Sequence, residues 1–81
     1  MPQHRYRIIV KSIKDATGGT AEDERSLQFE IGNHDDIFSV VERLSQRGGF
    51  DQDTAAAFGV GLKLFSEVML QHKDNPLFLS L

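Results

Sequence analysis

The sequence predicts a single α+β domain in which an antiparallel β-hairpin packs against two α-helices. Two segments near the N-terminus alternate apolar and polar residues with a period of two, and two later segments repeat apolar residues with a period near 3.6. The 81 residues are enough for one hydrophobic core and too few for two. Hydrophobic residues at 40% and charged residues at 26% are typical of a globular domain. We therefore expect one domain over residues 1–81, in the order β-β-α-α.

The first strand is predicted from Arg5 to Ile13, a segment rich in β-branched and aromatic residues. Tyr6, Ile8 and Val10 share one face of such a strand, which we expect to be the core face. Polar residues dominate the segment of residues 14–24 that follows, and it includes adjacent glycines. This composition predicts a mobile hairpin loop.

The second strand is predicted from Arg25 to Ile31, where Leu27, Phe29 and Ile31 alternate strictly with polar residues. If the strands pair with Ile8 opposite Phe29, then three further pairs follow. These are Tyr6 with Ile31, Val10 with Leu27, and Arg7 with Glu30 on the solvent face. A slip of one residue would expose an apolar row, so the parity of the pairing is strongly determined.

The first helix is predicted to begin near His34, with Asn33 as its N-cap accepting a hydrogen bond from the backbone of Asp36. Ile37, Val40, Val41 and Leu44 then follow the spacing of one apolar helix face. The helix is expected to end at Gly48-Gly49.

The second, longer helix is predicted from an N-cap at Asp51 to about His72. Its predicted core face consists of apolar residues at helical spacing, and Lys63, Glu67 and Gln71 form the polar side. For Glu67 we expect a surface ion pair with Lys63, four residues earlier. The predicted core face comprises Ala55, Phe58, Gly61, Leu62, Phe65, Val68 and Met69.

The first half of this helix, residues 55–61, contains three alanines and two glycines. Interior glycines destabilise a helix by roughly 1 kcal/mol each relative to alanine, so the thin segment should have a structural use. We expect close approach of the first helix or of the sheet, and the alternatives are a kink or a contact between subunits.

The C-terminal tail, residues 77–81, is apolar and follows the helix-breaking pair Asn75-Pro76. It is expected to dock as a third strand or an extended arm, to cover Leu70 and Val60 on the outer side of the long helix, or to pair with another copy of the chain. The residues predicted to contact a protein partner are Val60, Leu70, Leu77, Phe78 and Leu79.

No arrangement of residues in the sequence indicates catalytic chemistry. The chain has no cysteine, and its histidines at positions 4, 34 and 72 lack the spacing of paired metal ligands. No glycine cluster links a strand to a helix with phosphate-binding spacing. We therefore expect no metal, no cofactor and no catalytic residue, and a protein that is not an enzyme.

The charge pattern gives weak support to nucleic-acid binding. Arg5, Arg7 and Lys11 share the solvent face of the first strand, whereas the net charge of the chain is −3. No secretion signal or membrane-spanning segment is apparent, so we expect the protein in the cytoplasm.

Three segments together resemble a family of short bacterial proteins known as a domain of unknown function. They are the "NHDD" turn beginning at Asn33, the "GLKLF-x-EVML" helix of residues 61–70, and the closing "PLF" of residues 76–78. The resemblance covers nearly the whole chain, and the helix motif is its most distinctive part. It implies a bacterial cytoplasmic origin and a stand-alone domain, with no activity, cofactor or catalytic residue to carry over.

The sequence therefore favours a protein-interaction domain, adaptor or regulatory, whose partner is another protein or a second copy of the chain. The first alternative is nucleic-acid binding through Arg5, Arg7 and Lys11. The second is a small ligand-binding protein, which requires a concave apolar pocket.

Overall fold

The computed structural model describes residues 3–14, 16 and 25–79. Most of the predicted loop of residues 14–24, and the last two residues of the predicted C-terminal tail, lie outside the described residues. Over the described residues the order of elements confirms the predicted α+β class and the β-β-α-α arrangement, with a short helix added at the end. The elements are β1 (His4–Lys11), β2 (Ser26–Asn33), α1 (Ile37–Arg47), α2 (Gln52–Gln71) and α3 (Pro76–Leu79).

The hairpin of β1 and β2 has the predicted register. Ile8 lies opposite Phe29, and Arg7 lies opposite Glu30 on the solvent face. The Arg7 guanidinium donates a hydrogen bond to the Glu30 carboxylate at 3.1 Å. The alternation of apolar and polar residues determines only the parity of the pairing, because an odd shift exposes an apolar row, and the observed register is the predicted one with Ile8 opposite Phe29.

Helix α1 begins three residues later than predicted, because Asp36 and not Asn33 is its N-cap. The Asp36 carboxylate accepts a hydrogen bond from the backbone N–H of Phe38 at 3.1 Å. Asn33 instead ends β2, and its Oδ1 accepts a hydrogen bond from the backbone N–H of Asp35 at 2.9 Å. Either side chain can cap a helix, and Asn33 is engaged in joining the hairpin to α2. The end of α1 at Gly48 is as predicted.

Helix α2 begins as predicted with Asp51 as N-cap, and it packs tightly against α1 through small residues. Ala55 is fully buried. A Cβ atom on Gly59 would lie 2.9 Å from Cγ2 of Val41, a distance too short for a real contact. This confirms that the thin segment of α2 serves the close approach of the first helix, although Gly61 has no atom within 4 Å of where its Cβ would be.

Three polar contacts join the hairpin to the helices. The Tyr6 hydroxyl donates a hydrogen bond to the carbonyl of Asp35 at 3.0 Å and accepts one from the backbone N–H of Ile37 at 3.1 Å. The Asn33 amide donates a hydrogen bond to the carbonyl of Lys63 at 3.0 Å. These contacts attach the helices to the end of the hairpin where β1 begins and β2 ends.

The hydrophobic core of the chain is small. Among the described residues, Ile37 and Ala55 are the only buried hydrophobic residues. Along the apolar face of the hairpin, Tyr6 and Ile31 are half-buried near the helices, whereas Val10 is 55% exposed and Leu27 59% exposed toward the other end. The helices therefore cover one end of the hairpin and leave the other open.

The prediction of a core face on α2 is wrong for most of the residues assigned to that face. Ala55 is buried as predicted, but the larger side chains of that face lie at the surface, because α1 packs on the small residues Ala55 and Gly59. The residues predicted to be in the core and found exposed are Phe58, Gly61, Leu62, Phe65, Val68 and Met69.

The start of the C-terminal tail is helical and does not add a strand to the sheet over the described residues. Asn75 begins α3 by accepting a hydrogen bond from the backbone N–H of Leu77 at 2.9 Å. The ring of Phe78 then packs edge-on against Phe65, with ring centroids 6.2 Å apart. The described part of the tail thus contacts α2 at Phe65, whereas the expected cover of Leu70 and Val60 is not found, since Leu70 is 57% exposed and Val60 lines the groove between α1 and α2.

Replacing Gly59 and Gly61 separately by alanine tests the contact between the helices. Gly59→Ala should lower the free energy of unfolding by about 1–2 kcal/mol, because the collision with the stiff Val41 side chain outweighs the gain in helix propensity. Gly61→Ala should raise it by up to about 1 kcal/mol, because its Cβ meets no atom. Urea unfolding followed by circular dichroism measures both, and equal stabilisation by the two substitutions would contradict the contact.

Candidate protein-interaction surface

An apolar stripe runs along the exposed face of α2. Phe58, Leu62, Phe65 and Met69 are spaced four, three and four residues apart, so they lie on one side of the helix over about 16 Å. Their exposed fractions range from 36% to 49%. We call these four residues the α2 stripe. Their large apolar side chains are only partly covered by the rest of the chain.

Aromatic contacts extend the α2 stripe at its N-terminal end and beside Phe65. Phe50, just before α2, packs edge-on against Phe58 with ring centroids 5.7 Å apart. Phe78 of α3 makes the corresponding contact with Phe65. Such edge-to-face pairs restrict the orientation of the rings, so the stripe presents aromatic side chains in defined positions.

Basic residues lie beside the α2 stripe where α1 approaches it. A groove of about 470 Å³ is lined by Leu62 and Lys63 of α2 together with Arg43 and Arg47 of α1. A second groove, of about 440 Å³, lies between the two helices and includes Ile37 and Val60. Both are open grooves at the surface and lack the enclosed form of a small-molecule site.

The residues predicted to contact a protein lie in two different places. Phe78 is half-buried against the α2 stripe, and Leu70, Leu77 and Leu79 are exposed on α2 and α3. Val60 is half-buried in the groove with α1 and is separate from the stripe.

Sequence reasoning assigned the four residues of the α2 stripe to the core and so missed them as surface residues. The useful indication was the pair Ala55 and Gly59, four residues apart, whose small size marks the side on which another helix packs closely. A contact made through such small residues leaves the larger side chains beside it only partly covered.

Glu67 is buried, with an exposed fraction of 5%, in contrast to the surface position predicted for it. Its carboxylate accepts a hydrogen bond from the Gln3 amide at 2.6 Å and a longer one from Gln71 at 3.4 Å. The ring nitrogen Nδ1 of His34 lies 3.5 Å from the same oxygen. These neighbours come from the N-terminus, the turn after β2 and α2 itself, so the three segments meet at the carboxylate.

Lys63 pairs with Asp35 and not with Glu67. Its ammonium lies 2.7 Å from the Asp35 carboxylate. The hydrogen bond from Lys63, followed by the attraction of its charge, holds the pKa of Asp35 below its usual range. The pair fixes α2 to the turn that precedes α1.

The predicted basic strip of Arg5, Arg7 and Lys11 is partly neutralised. The Glu30 carboxylate lies 3.1 Å from the guanidinium of Arg7 and 3.8 Å from that of Arg5. The strip lies on the solvent face of the hairpin, away from the α2 stripe, and this pairing reduces the positive charge that a phosphate backbone would meet.

Neither a metal-binding cluster nor a membrane-spanning helix is found in the described part of the chain. Over residues 3–14, 16 and 25–79, no group of three or more His, Asp or Glu side chains is arranged to hold a metal ion. In the same residues, none of the helices combines the length and the apolar character of a bilayer-spanning segment.

Comparison with known proteins gives a family and a structural relative. The model of a family described as a domain of unknown function with solved structure, DUF3861, matches residues 4–81. The crystal structure of a protein of unknown function from Pectobacterium atrosepticum is 38% identical in sequence and has a TM-score of 0.78, over 95% of this chain and 80% of that one. No curated protein matches the chain.

Protonation of Asp35 should contribute to the loss of stability of the protein at low pH. Folding lowers the pKa of Asp35. The stabilisation that the ionised carboxylate gives is therefore fully present above the pKa of Asp35 in the unfolded chain, and it is lost as the pH falls through the pKa in the folded chain. Asp35→Asn should therefore flatten the fall in urea midpoint as the pH is lowered below about 4. In a Lys63→Gln background the same substitution should have a much smaller effect on that slope, because Lys63 is the largest cause of the lowered pKa, and an undiminished effect there would show that Lys63 is not the cause.

Proposed function

The chain belongs to the DUF3861 family of domains of unknown function, and from this premise we propose that it is a small non-catalytic protein-interaction domain. In this role it acts as an adaptor or regulatory module in the bacterial cytoplasm. The bacterial source of the structural relative supports the assignment to bacteria. The partner is a protein, and the α2 stripe with the adjoining α3 is the surface that receives it.

The observation that carries this proposal is the exposure of four large apolar side chains in one line. Single exposed hydrophobic residues are common on proteins, but a continuous patch framed by polar residues is typical of an interaction site. The α2 stripe is framed by Arg43 and Arg47 on the side of α1. An apolar centre with a charged edge is the usual composition of a protein interface.

The shape of the surface favours a protein over a small molecule. The α2 stripe lies on the convex side of a helix, where a small ligand would keep most of its own surface in water. A partner helix or sheet can instead cover the whole length of the stripe. Phe58 and Phe65, oriented by their neighbouring rings, have the size and rigidity of residues that contribute most of the binding energy in interfaces.

The predicted contact residues fit this surface in part. Phe78 adjoins the α2 stripe, and Leu70, Leu77 and Leu79 extend the exposed apolar area toward the C-terminus. Val60 is left out of the proposed surface because it faces the groove between the helices.

Site-specific photo-crosslinking in the native cell tests the proposal. A photoreactive phenylalanine analogue at Phe65 should give a discrete crosslinked product with a protein, because that ring lies within the proposed contact. The same analogue at Gln28, which is exposed on the solvent face of the hairpin, is the matched control and should give none. Absence of any protein product at Phe65, or equal products at both positions, would contradict the proposed surface.

A further inference from the structure

We propose that the partner of the α2 stripe is a second copy of this chain, and that the two copies cover each other's apolar surfaces reciprocally. The open end of the hairpin in each copy lies on the α2 stripe of the other, about a two-fold axis. This inference rests on the proposed function, because it names the occupant of the same surface.

The chain presents two uncovered apolar faces that match each other. One is the α2 stripe. The other is the end of the hairpin where Val10 and Leu27 lie opposite each other on the apolar face, both more than half exposed. A strand pair is about 10 Å wide and the stripe is about 16 Å long, so the hairpin end can cover most of the stripe.

Both faces remain incomplete within one chain for a structural reason. The polar contacts of Tyr6 and Asn33 attach the helices to one end of the hairpin, so the chain's own α2 covers neither Val10 nor Leu27. An isolated two-stranded hairpin is marginally stable in water, and a helix packed on its apolar face is the usual remedy. A second copy supplies that helix without any additional component.

The described residues expose enough apolar side chains for such a contact. Fourteen large hydrophobic residues are exposed there, and six of them lie on the two faces, namely Phe58, Leu62, Phe65 and Met69 of the α2 stripe and Val10 and Leu27 of the hairpin. An interface of standard size buries roughly 800 Å² on each partner, which is the scale that two such faces together can supply.

The symmetry of the proposed contact strengthens the case for a second copy over an unrelated protein. In a two-fold dimer, a contact between one face and a different face of the partner occurs twice. Both uncovered faces are then buried at once, and Val10 and Leu27 are covered in both copies. An unrelated partner on the α2 stripe would cover one face and leave Val10 and Leu27 in water.

Sedimentation equilibrium of the full chain and of two hairpin variants tests the inference. The wild-type chain should be a dimer at about 50 μM, and Leu27→Glu should weaken dimerisation at least about tenfold, because a charge replaces a leucine in both contacts. Gln28→Glu adds the same charge one residue away on the opposite face and should leave the dimer intact. A monomeric wild-type chain, or equal weakening by both variants, would overturn the inference.

A mixture of two variants tests the reciprocal arrangement. Leu62→Lys should weaken the dimer as Leu27→Glu does, but a mixture of the two should associate more tightly than either alone. The mixed dimer has one unchanged contact and one in which the introduced carboxylate of the hairpin variant meets the introduced ammonium of the stripe variant. If the mixture associates no better than its components, the hairpin and the stripe do not contact each other.

The outcome separates this inference from the proposed function. A monomeric wild-type chain that still forms a crosslink from position 65 to a different protein would leave the interaction surface standing and remove the second copy as its occupant. A monomeric chain without any crosslink would remove both. A crosslinked product of twice the chain mass, with the variant pattern above, supports both.

Discussion

The contact between α1 and the small residues of α2 determines the rest of the structure. Gly59 allows Val41 to approach so closely that any side chain there would collide, and Ala55 on the same side is fully buried. Because α1 makes its closest contact at these two small residues, it covers the neighbouring large apolar residues of α2 only in part. The α2 stripe is therefore a consequence of how the two helices pack, and the function that we propose follows from that exposure.

The connection between hairpin and helices is polar and local. Tyr6 and Asn33 bond to backbone atoms at the start of α1 and the middle of α2, and Glu67 draws in the N-terminus and the turn after β2. Hydrogen bonds of this kind fix orientation well, but they bury little apolar area. A chain held in this way has a defined shape and a small core, which is the condition under which association with another chain contributes much to stability.

The strands and most helix ends could be predicted from the sequence because they depend on local patterns of residues. The alternation around Ile8 and Phe29 determined which side chains share the apolar face of the hairpin, and Asp51 and Gly48 marked helix ends correctly. The exposure of the apolar face of α2 could not be predicted in the same way. Helical periodicity identifies an apolar face that is stabilised by burial, but the residues that bury it can belong to the same chain or to another chain. Glu67 was misplaced because its donor Gln3 is 64 residues away in sequence.

In the proposed dimer, the apolar surfaces left open by the packing of the helices are covered by another copy of the chain. The urea midpoint of the purified protein, measured at about 2 μM and about 200 μM, tests this claim most directly. If folding and association are coupled, the midpoint should rise by roughly 1 M over this range, since mass action stabilises the associated native state. The same midpoint at both concentrations would contradict the claim.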